Sequence, residues 1–219
     1  MKKGISIIVL VAATVAAHAQ AQTLVDDFSA SMPNYVLPTE PDYGVNGASV
    51  SGPLFDYRKG SASDYIGNGT DLFVISATGN GTLTAAGAGT AGGTLQLSYS
   101  NYAAVDLSGI ASFTLHVSAL TAPITGYFSS YSDHYANYSY GHLNITSVGD
   151  TTVYLNDYVG GDPFVAALDN DITFSMNVGA GQSVSITKIT ANAVPEPTSI
   201  AAMGFGLALF ARRRRQKAA

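Results

Sequence analysis

Between Tyr127 and His142 the chain sets Tyr127, Phe128, Tyr131, Tyr135, Tyr138 and Tyr140 among Ser, Asp133, His134 and Asn137. Aromatic side chains stack on the apolar ring faces of a ligand, and neighbouring Asp, Asn and His groups hydrogen-bond its hydroxyls. That chemistry suits a polyhydroxylated ring such as a sugar. The candidate contacts are Tyr127, Tyr131, Asp133, His134, Tyr135 and Tyr138. The same residues also read as an ordinary tyrosine-rich strand pair with alternate rings in the core, and tyrosine is readily used in strands. The bland reading is the favoured one.

Carboxylates supply the second candidate chemistry. Asp26, Asp27, Asp169 and Asp171 are hard oxygen donors that could hold a structural calcium ion. Their spacing follows no calcium loop, and aspartate serves equally in turns and caps. Catalytic signatures are missing. There is no Gly-x-Ser-x-Gly elbow, no His-Glu-x-x-His pair and no phosphate loop. Glutamate occurs only at positions 40 and 196, and no aspartate pair stands out as the acid and base of a glycosidase. The chain has no cysteine, which removes disulfides, thiol nucleophiles and thiolate metal sites. His116 lies mid-strand and, by alternation, on the side away from Phe113, Leu115 and Val117. The expectation is a protein that is not an enzyme, with no catalytic residue and no required cofactor.

These groups must be positioned by strands. Thr94–Tyr99, Ser112–Val117, Ile172–Val178 and Ser183–Thr190 alternate polar and apolar residues, which puts one face in a core and the other in water. Leu24–Phe28, Leu54–Arg58, Leu72–Ala77, His142–Val148 and Thr151–Leu155 are weaker candidates. The total is about nine strands, separated by Gly, Asn and Asp. Asn80-Gly81 and Gly149-Asp150 read as hairpin turns. Thr84–Gly93, made only of Ala, Gly and Thr, reads as a flexible surface loop. Asn34–Gly47 reads as a second irregular loop. No long segment has helical periodicity, so the expected class is all-β, an antiparallel two-sheet sandwich.

The two ends are different in kind. Lys2 and Lys3 precede an apolar run, Ile5–Ala17, and then small-x-small cleavage sites at Ala17-His18-Ala19 and Ala19-Gln20-Ala21. This is the layout of a secretory signal peptide over residues 1–21. The other end reads Val194-Pro195-Glu196-Pro197, an uncharged run Ile200–Ala211, then Arg212, Arg213, Arg214 and Arg215. Fifteen helical residues, 197–211, span about 22 Å, short of the roughly 30 Å hydrocarbon core. Arginines that follow the run can snorkel to headgroups and hold it with the basic end on the cytoplasmic side. A short C-terminal membrane helix is expected. The two prolines keep the stretch before it extended, as a protease requires. Residues 22–193 form the exported domain, and 194–219 the tail.

Without its ends the chain carries three Lys and Arg residues, Arg58, Lys59 and Lys188, against 14 acids, a net charge of −11. Such a surface offers no basic patch, so nucleic acid is excluded as a partner. It also argues against adhesion to anionic lipid.

The order Val-Pro-Glu-Pro, short Gly/Ala/Leu-rich helix, arginine cluster resembles the PEP-CTERM sorting signal. The resemblance covers about residues 194–217. It implies a Gram-negative host that makes exopolysaccharide, passage through the inner membrane and transient retention there. It also implies recognition of Pro195-Glu196-Pro197 by an exosortase, a membrane protease that removes the tail. The protein would then reach the cell surface or the extracellular biofilm matrix in a structural or interaction role. A second resemblance rests on Val25-Asp26-Asp27-Phe28, Leu95-x-Leu97-x-Tyr99, Val105-Asp106-Leu107-Ser108-Gly109 and Phe113-x-Leu115-x-Val117. These are similar to the galactose-binding-like jelly roll of many carbohydrate-binding modules. That implies a jelly-roll sandwich and, as the alternative function, exopolysaccharide binding. Tryptophan, the commonest stacking platform of such modules, is absent here. A secreted hydrolase is the third reading.

Overall fold

The computed structural model describes residues 21–37, 45–50, 54–101, 105–132, 137–155, 158–161 and 169–194. The expected signal peptide, the C-terminal helix and Arg212–Arg215 lie outside them. Among the described residues no helix is long and apolar enough to cross a membrane.

Alternation decides which side chains meet. Leu95, Leu97 and Tyr99 are buried while Gln96 and Ser98 between them are not. Ile172, Phe174, Met176 and Val178 repeat the pattern. Strands that are apolar on one face must cover that face, and two sheets packed together do so. Among the described residues there are fourteen strands, in two seven-stranded antiparallel sheets. The expected two-sheet sandwich is the fold observed.

The first sheet runs β11 (Gly149–Tyr154), β8 (Ile110–Leu120), β14 (Ser183–Ala193), β6 (Leu83–Gly87), β5 (Phe73–Ala77), β2 (Met32–Leu37). β1 (Gln22–Asp26) pairs with the final residues of β14, on the edge whose earlier residues pair with β6. The second sheet runs β12 (Tyr158–Gly161), β10 (Asn137–Ile145), β9 (Ile124–Ser132), β13 (Asp169–Val178), β7 (Gly92–Ser100), β4 (Tyr57–Ile66), β3 (Val45–Ser49). Both are assembled from strands distant in sequence. Residues 22–192 form one compact unit. Of the separate unit 1–21 and 193–219, Ala193 N donates to Ala21 O at 3.0 Å.

Aromatic rings fill the centre. Phe113 of the first sheet lies 5.6 Å from Phe128 and 5.9 Å, edge-on, from Phe174 of the second. Tyr99 meets Phe174 edge-on at 6.2 Å. Such offset and edge contacts exceed simple area burial by about 0.5–1.5 kcal/mol each.

Three expectations are corrected. Thr84–Gly93 is not a surface loop: Thr84–Gly87 belong to β6, and Gly92 and Gly93 open β7. Small residues are required there, because a Cβ on Gly93 would lie 2.7 Å from the Phe73 ring. Asn34–Leu37 are strand, in β2, and Val45–Gly47 are strand, in β3; residues 38–44 fall outside those described. Gly149-Asp150 begins β11, so the connection is Thr146–Val148. The Asn80-Gly81 turn does join an antiparallel pair, β5 and β6.

Candidate functional site

The outward face of the second sheet is polar with a few rings. Register across it gives the row His142, Tyr127, Ser175, Gln96, Ser61 and, beside it, Asn144, Thr125, Asn177, Thr94, Ser63. A third row is Tyr140, Ser129, Thr173, Ser98, Lys59. Five strands at about 4.8 Å spacing make this face roughly 19 Å wide across the strands. The opposite parity, Phe128, Leu143, Leu97 and Phe174, fills the core.

A depression of about 320 Å³ opens on this face, lined by Thr125, Gly126, Tyr127, His142, Asn144 and Asn177. Tyr127 is 45% exposed on this face. Its ring lies 5.8 Å from Tyr140, edge-on, and 5.8 Å from His142 at 33°. The two neighbours restrict the Tyr127 rotamer, so little side-chain entropy remains to be lost on stacking. Asn177 accepts from Thr94 Oγ1 at 3.1 Å through Oδ1, which turns its NH₂ donors away from that bond. Ser98 and Thr173 bridge their hydroxyls at 2.8 Å. The ensemble is a stacking ring, an imidazole and two primary amides around one opening. It can accept and donate hydrogen bonds to several hydroxyls while an apolar face rests on Tyr127.

Of the candidates read from sequence, Tyr127 lies in this opening. Tyr131 and Tyr138 are cross-strand partners of β9 and β10. Asp133, His134 and Tyr135 lie outside the described residues. Sequence reasoning missed Thr125, His142, Asn144 and Asn177 as contacts. Thr125 and Asn144 share the parity of Tyr127 and His142, so alternation could have found them. Asn177 arrives from a strand about fifty residues away, and no local signal points to it.

The Asp-Asp-Phe opening does something different. Asp26 is buried, and its Oδ2 meets Arg58 Nη1 at 2.5 Å and accepts from Tyr99 Oη at 2.8 Å. Its Oδ1 accepts from Phe28 N at 2.8 Å. Arg58 is wholly buried, donates to Ala30 O at 2.7 Å, and sits 5.1 Å from the Phe28 ring centroid. Burial pushes the Tyr99 hydroxyl well above its ordinary value of 10.0, and the charge of Asp26 adds to this. Asp26 is therefore committed to protein partners. Asp27 caps a turn: hydrogen bonds from Ser29 hold its carboxyl below the ordinary value. Asp169 and Asp171 lie at the start of β13, paired with Ser132 and Tyr131 of β9. Among the described residues no cluster of three His, Asp or Glu is placed to hold a metal.

On the outward face of the first sheet, His116 Nδ1 lies 2.6 Å from Asp150 Oδ1 and its Nε2 3.3 Å from Thr190 Oγ1. The line has the outline of a catalytic triad, but Thr190 is 3% exposed. It continues a ladder of cross-strand hydroxyl bonds, Thr114 to Thr152 at 3.0 Å and Thr84 to Ser185 at 3.1 Å. Its geometry ties strands together. His116 is thus on the expected face, though only partly exposed.

The C-terminal side of the domain is decided by a family comparison. Residues 193–215 match the PEP-CTERM protein-sorting motif. The match bears out the PEP-CTERM motif read at this end, over residues 193–215, and with it sorted export. No curated protein matches the chain. Among solved structures, the sandwich is similar to the family 11 carbohydrate-binding module of cellulase Lic26A-Cel5E from Clostridium thermocellum. The identity is 15%, covering 82% of this chain and 99% of that one, at a TM-score of 0.44. It is also similar to the xylan-binding module CBM86 from Roseburia intestinalis, at 14% identity, 63% and 96% coverage and a TM-score of 0.35. PfGH50B is similar at 11% identity and a TM-score of 0.40; the match covers 63% of this chain and 22% of that protein's length. At these TM-scores the fold assignment rests on the strand pairing itself.

Proposed function

We propose that this is an exported, non-catalytic glycan-binding protein of the extracellular matrix. Its signal peptide takes it through the inner membrane of a Gram-negative cell, and its PEP-CTERM tail holds it there until an exosortase cleaves near Pro195–Pro197. The domain is released to the surface or the exopolysaccharide matrix and there holds a polysaccharide on the outward face of its second sheet.

One observation carries the binding reading. Tyr127 is exposed in mid-strand and stands beside His142, Asn144 and Asn177 in a single opening. By alternation Phe128 turns into the core and Tyr127 out to solvent, where its ring is available to stack on a ligand. The net charge of −11 favours a neutral glycan over a polyanion. Both ends of the domain, Gln22 and Asn192, belong to the first sheet. No metal is part of this reading.

The test is affinity electrophoresis of residues 22–193 in gels containing the host's exopolysaccharide. Retardation that falls with Tyr127→Ala is expected. Unretarded migration of the unaltered domain sinks the binding reading and leaves a purely structural role. Release of reducing sugar from the same polysaccharide would instead favour a hydrolase.

A further inference from the structure

The sorting motif begins where the last strand ends. β14 runs to Ala193 and the motif match starts there. No spacer separates the sheet from Pro195: three residues beyond Asn192 reach at most about 11 Å.

That strand end is fastened on both sides. Along the backbone, Gln22 pairs with Asn192, Thr23 with Ala191 and Leu24 with Thr190. The Asn192 side chain is 5% exposed. Its Oδ1 accepts from Gln22 Nε2 at 3.1 Å. Its Nδ2 donates to Ser112 Oγ and to Thr114 Oγ1, each at 2.9 Å. All the amide's donors and one acceptor position are used, by β1 on one flank and β8 on the other. Val194, two residues on, is 46% exposed. The change from a riveted strand to an exposed chain takes place within two residues.

A protease binds its substrate extended and takes up main-chain hydrogen bonds on either side of the scissile bond. Here the groups on the amino-terminal side, residues 190–192, already bond within the sheet. We propose that Asn192, with Gln22, Ser112 and Thr114, forms a latch that restrains tail cleavage, so that β14 must loosen at its end before the protease engages the motif. Gln22 lies next to the expected signal-peptide cleavage site after Ala21. The latch pairs the two strands that border both expected processing sites. The bond broken is a peptide amide; water supplies the hydroxyl to its carbonyl carbon and a proton to the departing amine. This inference rests on the exosortase reading above.

The experiment is a pulse-chase of the full-length precursor in the host, following conversion to the shortened form. Two variants are compared with the unaltered chain: Asn192→Ala, and an insertion of six Gly/Ser residues between Ala193 and Val194. Weakening two or three neutral hydrogen bonds is expected to speed conversion roughly five- to thirty-fold in the first. The insertion, which leaves the sandwich unaltered, is expected to speed it comparably. Unchanged conversion in the insertion variant overturns the latch, whatever Asn192→Ala does to folding. If the unaltered precursor is never shortened, and an exosortase-deficient strain behaves identically, it is the sorting reading that fails.

Discussion

Arg58→Met removes the one buried cation among the described residues. It deletes the 2.5 Å contact to Asp26 and the bond to Ala30 O, and leaves Asp26 with only Tyr99 and Phe28 N as partners. Both members of the pair are at most 2% exposed, so water cannot replace the lost charge. Breaking such a pair from one side costs about 3–5 kcal/mol. For a domain of this size 1 kcal/mol moves the thermal midpoint by about 2–4 °C, which gives a fall of roughly 6–20 °C. Replacing the whole cluster, with Asp26→Leu and Tyr99→Phe added, removes the stranded charge and hydroxyl together. Most of the loss is then recovered, since well-packed apolar replacements of buried pairs are near neutral. Urea unfolding of residues 22–193, followed by circular dichroism, measures each variant. A loss below about 1 kcal/mol for Arg58→Met, or losses that simply add without coupling between Arg58 and Asp26, would refute the assignment of this pair as a structural centre.

Four further outcomes follow from the same geometry. Gly126→Ala would place a Cβ 1.8 Å from the Ser175 carbonyl oxygen and force β9 off β13; a loss of about 3 kcal/mol in urea unfolding is expected, and a neutral variant would contradict that close approach. The buried Tyr99 hydroxyl titrates higher folded than unfolded, so its contribution is complete below pH 10 and is lost as pH rises beyond it. Stability measured from pH 9 to 11 should fall, and Tyr99→Phe should flatten the fall. Treatment with EDTA should leave the thermal midpoint unchanged, because Asp26 is held by Arg58; a drop of several degrees would point to a bound ion. Tyr127→Ala should weaken glycan retardation about five- to twentyfold, the loss of one stacked ring, with no change in thermal midpoint.

The fold was legible wherever alternation was strict. Leu95-x-Leu97-x-Tyr99 and Val184-x-Ile186 read directly as core strands. β6 and the start of β7 were not legible, because Ala85 and Gly93 have almost no hydrophobic signal of their own. β6 is strand through its pairing with β5 and β14, and Gly93 is small because the Phe73 ring packs against it. Arg58 is the clearest failure of local reading. One of only three cations in the exported part, it passes for a solvated charge until β4 and β1 are brought together. The candidate site was half legible. Tyr127 announces itself by type, and Asn144 follows from parity. Asn177 depends on β13 lying beside β9, a pairing that nothing in either segment specifies.

A glycan held on the outward face of the second sheet would change the surroundings of the residues that line it. Titrating isotope-labelled residues 22–193 with the host's exopolysaccharide, while recording backbone and side-chain amide resonances, tests it most directly. Thr125, Tyr127, His142, Asn144 and Asn177 are expected to shift together, the Asn144 and Asn177 side-chain NH₂ signals among them. Shifts gathered instead on Thr152, His116 and Thr190 of the other sheet, or none at saturating polysaccharide, would contradict it.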